Sequence, residues 1–277
     1  MAQESTYKKR VEEAVGFLRQ RISARPDIVL QLGTGLGAFA EAVEEQVLIP
    51  YADIPHFPQS TVTSHAGNLV FGTLCGRKVA LLQGRLHFYE GYGAREVAFP
   101  VRVLSRLGCR TAVITNAAGG LNPDFSPGTI MVFSDHIYLL PDNPLRGPNV
   151  DDWGPRFPDL SQPYDRRLQE IAFTAAAELG FSEVVGGTYV CIPGPSLETP
   201  AETRYLRMIG ADAVGMSSLP EVLVAIHGGM QVLGISVVAN VNDPDNFTPI
   251  LLDDIVAAAG RARPRLQQLL SLILPQL

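Results

Sequence analysis

With 277 residues, 46% of them hydrophobic and 18% charged, the chain is large and apolar enough to close one sizeable core, so a single α/β domain over 1–277 is the default. A net charge of -6 at pH 7 leaves no basic surplus for nucleic acid or an acidic membrane surface, and an anionic ligand must be caught by a local cluster. Cys75, Cys109 and Cys191 are odd in number, widely spaced and in no CxxC pair, which suggests neither a disulfide framework nor a zinc site and fits reduced thiols in the cytoplasm.

The opening segment MAQESTYKKRVEEAVGFLRQR lacks the apolar centre of a signal peptide, and no apolar run reaches the roughly 18 residues of a membrane span. Instead Val11, Ala14, Val15, Phe17, Leu18 and Ile22 recur at helical spacing, predicting an N-terminal helix within 1–25, with Ser5 as its N-cap. After Pro26 come short β-rich runs that end in glycine or a turn: DIVLQLG, NLVFGTLCG, KVALLQG, TAVITNAAGG, TIMVFSDHI, GTYVCIPG, DAVGMS and QVLGISVVAN. Several are continuously apolar, as strands buried on both faces are. Helical patterns separate them at about 97–108, 164–180, 200–209, 219–229 and 252–274. The alternation predicts a central mixed, mostly parallel sheet flanked by helices, with a hairpin over 68–84. The Pro-, Gly- and Asp-rich stretch 141–163 is too long for an idle connection.

In such folds ligands bind beyond the carboxyl ends of the strands, and six of those ends carry unusual chemistry: GTGLG, GRLHFYEGY, NAAGGLNP, PGPSLETPAE, GMSSLPE and NVNDPDN. Arg85, His87, His65, Thr34, Ser217 and backbone amides near Gly33 and Ala117 could surround a compact anion. The glycine pattern of Gly33, Gly35 and Ala38 also fits a dinucleotide-binding turn. That rival requires an acidic residue closing the second strand, for which Asp53 in YADIPHFP is poorly placed.

The segments HAGNLVFG, QGRLHFYEGY, TNAAGGLNP, NPLRGPN, GPSLETPAE and GADAVGMSSLPEV closely resemble the trimeric, low-molecular-mass purine nucleoside phosphorylases, in chain order from about residue 27 to the C-terminus. The resemblance implies phosphorolysis of 6-oxopurine nucleosides to free base and ribose 1-phosphate. Inorganic phosphate is then a co-substrate, and no metal or organic cofactor is implied. Thr34, His65, Arg85, His87, Ala117 and Ser217 match phosphate-binding positions; Tyr89, Tyr189 and Met216 match the ribose positions; Leu197, Glu198 and Asn240 match the base positions. His87, Glu198 and Asn240 are the implied catalytic set. Asn240 is expected to donate to N7 and O6 of the purine together. Phe157 matches an aromatic residue donated to a neighbouring subunit, which makes 141–163 a subunit contact in a homotrimer. Three positions depart from the family pattern: Leu197 stands where an aromatic residue is usual, Thr34 where serine is common, and Leu252 where some members place a histidine for the ribose 5′-hydroxyl.

Overall fold

The computed structural model describes residues 2–33, 37–61, 66–249 and 251–277, with the backbone alone at 2–5, 37, 38, 252 and 253. All eight predicted strands form: β1 (Ile28–Gln31), β3 (Asn68–Leu74), β4 (Arg77–Gln83), β5 (Thr111–Gly120), β6 (Ile130–Tyr138), β7 (Val184–Cys191), β8 (Ala213–Gly215) and β9 (Gln231–Val241). A ninth, β2 (Glu44–Pro50), escaped the sequence reading. It lies at the sheet edge and exposes most of its residues, and its three apolar residues, Val47, Leu48 and Ile49, follow two glutamates and a glutamine and end in proline. The helices are α1 (Ala2–Arg19), α2 (Ala94–Val97), α3 (Phe99–Leu107), α4 (Arg166–Glu178), α5 (Pro200–Met208), α6 (Leu219–His227) and α7 (Leu252–Ile273). Because α1 already begins at Ala2, Ser5 lies inside the helix and is not its N-cap.

The strand order is β2-β3-β4-β1-β5-β8-β7-β6-β9, and β9 pairs again with β5. Five strands therefore close on themselves, while β1 to β4 extend from the ring as an open wing. Of the pairings, β1–β4, β1–β5, β5–β9, β6–β7 and β7–β8 are parallel, and β2–β3, β3–β4, β5–β8 and β6–β9 are antiparallel. The sheet is thus more evenly mixed than the sequence suggested.

Side-chain alternation divides the core. Val29, Ala80, Leu82, Ala112 and Ile114 face α1, α3 and α6, whereas Ile28, Leu30, Val79, Leu81 and Val113 face α4 and α7. Both faces are covered, which is why these strands read as continuous apolar runs. No helix among the described residues is long and apolar enough to cross a membrane.

Residues 139–165 contain neither helix nor strand, yet the stretch is anchored. Trp153 is buried against the Tyr7 ring, edge-on at 5.8 Å, and beneath the Arg102 guanidinium at 5.2 Å. Arg102 Nη2 donates to His227 Nδ1 (3.0 Å), which places the imidazole hydrogen on Nε2, facing Asn149 Oδ1 at 3.1 Å. Burial, and then the Arg102 cation, push the His227 pKa from 6.5 down to about 4. Between those values the unfolded chain takes up the proton first. This contribution to stability is therefore complete above pH 6.5, falls as the pH drops, and is gone near pH 4. The urea midpoint should decline across that window, and His227→Gln, which keeps an acceptor and a donor, should show a shallower decline. Comparing the two proteins removes the contribution of His87, which shifts the same way. Equal slopes would rule out His227 as the source.

Candidate active site

A cavity of 370 Å³ opens at the carboxyl ends of β4, β5, β8 and β9. At one end stands Arg85, two residues beyond β4 and 3% exposed. Its Nε donates to Glu221 Oε1 (2.9 Å), and its Nη1 to the Thr115 carbonyl (2.8 Å) and Ser217 Oγ (3.3 Å). The remaining Nη2 is buried without a partner among the described residues. Glu221 Oε2 is likewise buried without a partner among the described residues, and a guanidinium fixed in this way at the border of a cavity is suited to an anion oxygen. Glu221, in the first turn of α6, is as buried as Arg85, and burial raises its pKa against the pull of the Arg85 charge.

His87 and Tyr89 enter the cavity from the short 3₁₀ turn Phe88–Glu90, their rings stacked at 4.6 Å. Glu90 accepts from the His87 backbone (2.8 Å) and Nδ1 (2.9 Å), and from Thr61 N (2.7 Å) and Oγ1 (2.6 Å). Those bonds outweigh burial and hold the Glu90 pKa below the ordinary range. An ionised carboxylate only accepts, so His87 carries its hydrogen on Nδ1 and presents Nε2 as an acceptor. Burial lowers the His87 pKa to about 4, and it is neutral near pH 7.

Between β8 and α6 the chain turns sharply. Ser218 has φ 73° and ψ -45°, and the Leu219 N–H donates to the Ser217 carbonyl at 2.9 Å, which together make a γ-turn of the rare positive-φ hand. Such a conformation costs about 1–3 kcal/mol and persists where the surroundings enforce it. Here Asn116 Nδ2 donates to Ser218 Oγ (2.7 Å), while Ser236 Oγ donates to Asn116 Oδ1 (2.6 Å). The turn sets Ser217 beside Arg85. Ala117 and Met216 also line the cavity. Gly194 is required behind them: its φ is +63°, and a Cβ there would meet Met216 Sδ at 2.3 Å.

At the opposite end Glu198, Leu197 and Asn240 line the cavity, with Glu198 7% exposed and its pKa raised by burial. Asn242 joins them. Its Nδ2 donates to Glu198 Oε2 (3.1 Å), and its Oδ1 accepts from Asn240 Nδ2 (2.5 Å). This corrects one expectation: one of the two Asn240 amide hydrogens is already engaged, so that side chain offers a ligand one donor and one acceptor rather than two donors.

A second correction concerns Tyr189. It is fully buried, stacked on Phe133 at 4.7 Å, and its hydroxyl donates to the Ser217 carbonyl at 3.3 Å. It therefore supports the cavity wall from behind and does not line it. Phe157 is 85% exposed and lies outside this chain's own cavity. Thr34, Gly35, His65 and the side chains of Ala38 and Leu252 lie outside the described residues. Gly33 is described: a Cβ there would meet Asn116 Cα at 2.7 Å, so close packing of β1's end on β5 requires glycine independently of any ligand. Glu90, Glu221, Asn242 and Ile255 went unassigned in the sequence. The first three lie within the strand-end segments GRLHFYEGY, GMSSLPE and NVNDPDN, whereas Ile255 reads only as helix core.

The model of the phosphorylase superfamily matches residues 27–275. Purine nucleoside phosphorylase 1 of Bacillus subtilis is 46% identical over 97% of this chain and 99% of its own length. The mouse (Mus musculus) purine nucleoside phosphorylase is 45% identical over 99% of this chain and 96% of its own. Among solved structures, a Schistosoma purine nucleoside phosphorylase in complex with hypoxanthine superposes with a TM-score of 0.93 at 41% identity, covering 97% of each chain. The Schistosoma mansoni enzyme in complex with inosine gives 0.92 at 40% identity, covering 97% of this chain and 96% of that one.

Proposed function

This chain belongs to the phosphorylase superfamily and is an enzyme of purine nucleoside phosphorolysis, and we propose that it acts on 6-oxopurine nucleosides, inosine and guanosine and their deoxy forms, in purine salvage. One observation carries the assignment of ends: a 370 Å³ cavity is lined by a buried guanidinium at one end and by a buried carboxylate with an amide at the other. Phosphate belongs at the first end and the purine at the second, with the ribose between them beside Tyr89 and Met216.

Breaking the C1′–N9 bond leaves positive charge on the sugar and sends an electron pair into the purine. Phosphate held by Arg85 and Ser217, and donating its own O–H to His87 Nε2, supplies both the countercharge and the nucleophile beneath C1′. Electron density arriving on the base spreads to O6 and N7. The free Asn240 N–H meets it at O6, and Asn240 Oδ1 is available to N7 once that atom is protonated. Glu198 accepts from N1–H. Because phosphate itself supplies charge and nucleophile, the step needs no metal or organic cofactor. Thr34, His65 and the Ala117 amide complete the proposed phosphate set. The exposed Phe157 fits donation to a neighbouring copy in a homotrimer, and the three free cysteines, two of them buried, fit the cytoplasm.

Adenosine presents an acceptor at N1 and a donor at C6, each facing its own kind. An unpaired buried polar group costs about 1–3 kcal/mol, so inosine and guanosine should each exceed adenosine by roughly tenfold or more in kcat/KM. Leu252 matches the position where some members place a histidine for the ribose 5′-hydroxyl, and Ile255 of the same helix lines the cavity, so an apolar 5′ pocket is proposed and 5′-methylthioinosine should be cleaved within about tenfold of inosine. A substrate panel at saturating phosphate reads both. Equal efficiency on adenosine would sink the base assignment, and strong rejection of the methylthio compound would remove the apolar 5′ pocket.

A further inference from the structure

The most constrained group that the proposed reaction leaves without a role is Asn242. It is 3% exposed, and its backbone is fixed on both sides: its N–H donates to the Gly120 carbonyl (2.9 Å), and its carbonyl accepts from Arg207 Nη2 (2.5 Å). Only its side chain faces Glu198 and Asn240, and the chemistry of Glu198 dictates which way each amide points. A carboxylate accepts and does not donate, so Asn242 must turn its NH₂ to Glu198 Oε2. Its oxygen then faces Asn240, which must answer with its own NH₂. Without Asn242, nothing in this chain of bonds would distinguish the two ends of the Asn240 amide.

We propose that Asn242 is a positioning residue that determines base specificity, locking the Asn240 amide so that its nitrogen faces the 6-position of the purine. This rests on the base-binding reading above. With N1 at Glu198 and N7 at Asn240, the 6-position lies between them, on the side where Asn242 joins the two. The locked Asn240 therefore points its remaining N–H at a 6-oxo group, which accepts. A 6-amino group would meet it donor to donor. A free asparagine could rotate by half a turn and present its oxygen instead, since an amide edge pairs as readily with an amino group and a ring nitrogen. Selectivity against 6-aminopurines then comes from two adjacent amides and one carboxylate acting as a unit.

The test is the ratio of kcat/KM for inosine to that for adenosine, measured on one preparation so that the active fraction cancels. The ratio of dissociation constants for hypoxanthine and adenine gives a readout without turnover. Asn242→Leu, and the smaller Asn242→Ala should the first fold poorly, remove both bonds, and each should lower the selectivity at least tenfold while leaving the KM for phosphate within about twofold. Asn242→Asp keeps an acceptor towards Asn240 and should hold the ratio within about threefold of the parent, although its absolute efficiency falls beside Glu198. A fall of less than threefold in the Leu and Ala variants overturns the lock. Loss of selectivity in the Asp variant as complete as in Leu does the same. Asn240→Ala separates this from failure of the base assignment: if it alters neither efficiency nor ratio, the assignment itself falls, and if it costs activity while Asn242→Leu keeps its ratio, only the lock does.

Discussion

Arg85→Ala is expected to raise the KM for phosphate by roughly 100-fold while moving the KM for inosine by less than about threefold. The asymmetry follows from geometry. Arg85 lines the cavity, where bonds from Nε and Nη1 to Glu221, Thr115 and Ser217 fix its guanidinium. A hydrogen bond to a charged group is worth about 1.5–3 kcal/mol, and the loss of formal charge adds to it. Arg85→Lys keeps the charge but loses the planar fork, so it should recover only part of the deficit. Removing the arginine also strands Glu221 as a buried carboxylate, at about 3–5 kcal/mol. A thermal or urea unfolding curve must therefore accompany the kinetics, and Arg85→Ala with Glu221→Leu serves as the folded control. Steady-state rates over a grid of phosphate and inosine concentrations decide the matter. An unchanged KM for phosphate would falsify the placement of the anion at Arg85.

Glu198→Ala should lower kcat/KM for inosine by about 100-fold, with little change in the KM for phosphate. The carboxylate is buried and held by Asn242, so its loss removes the acceptor for N1–H and leaves the Asn242 amide with an unmet donor. Because burial raises the Glu198 pKa, the ionised form that accepts N1–H is lost as the pH falls, starting above the ordinary carboxylate range. The wild-type kcat/KM for inosine should therefore decline on the acid side, and that limb should be missing from the Glu198→Ala profile. A variant that keeps both its efficiency and the acid limb would place the base elsewhere.

The fold was legible because its strands are covered on both faces and so announce themselves as apolar runs ended by glycine. The edge strand β2 opens on two glutamates, is mostly exposed and ends in proline rather than glycine after only three apolar residues, and was missed. Closure of β9 onto β5 is a matter of long-range pairing, which no local pattern encodes. At the site, strand-end chemistry marked Arg85 and His87, because polar residues following apolar strands stand out, whereas the roles of Glu198 and Asn240 came from the family resemblance of their segments. What stayed hidden were second partners: Glu90 behind His87, Glu221 behind Arg85, and Asn242 between Glu198 and Asn240. Each lies in a quoted segment, but only the folded geometry tells a partner from a neighbour. Tyr189 shows the converse, since its strand end adjoins the site while its ring points into the core against Phe133.

In phosphorolysis it is phosphate, rather than water, that takes the sugar from the purine. The most direct measurement supplies inosine to the purified protein with and without inorganic phosphate and follows products by phosphorus NMR together with base absorbance. Hypoxanthine should appear only with phosphate, in equal amount to a new ribose 1-phosphate resonance. Hypoxanthine released at the same rate without phosphate, accompanied by free ribose, would contradict phosphorolysis.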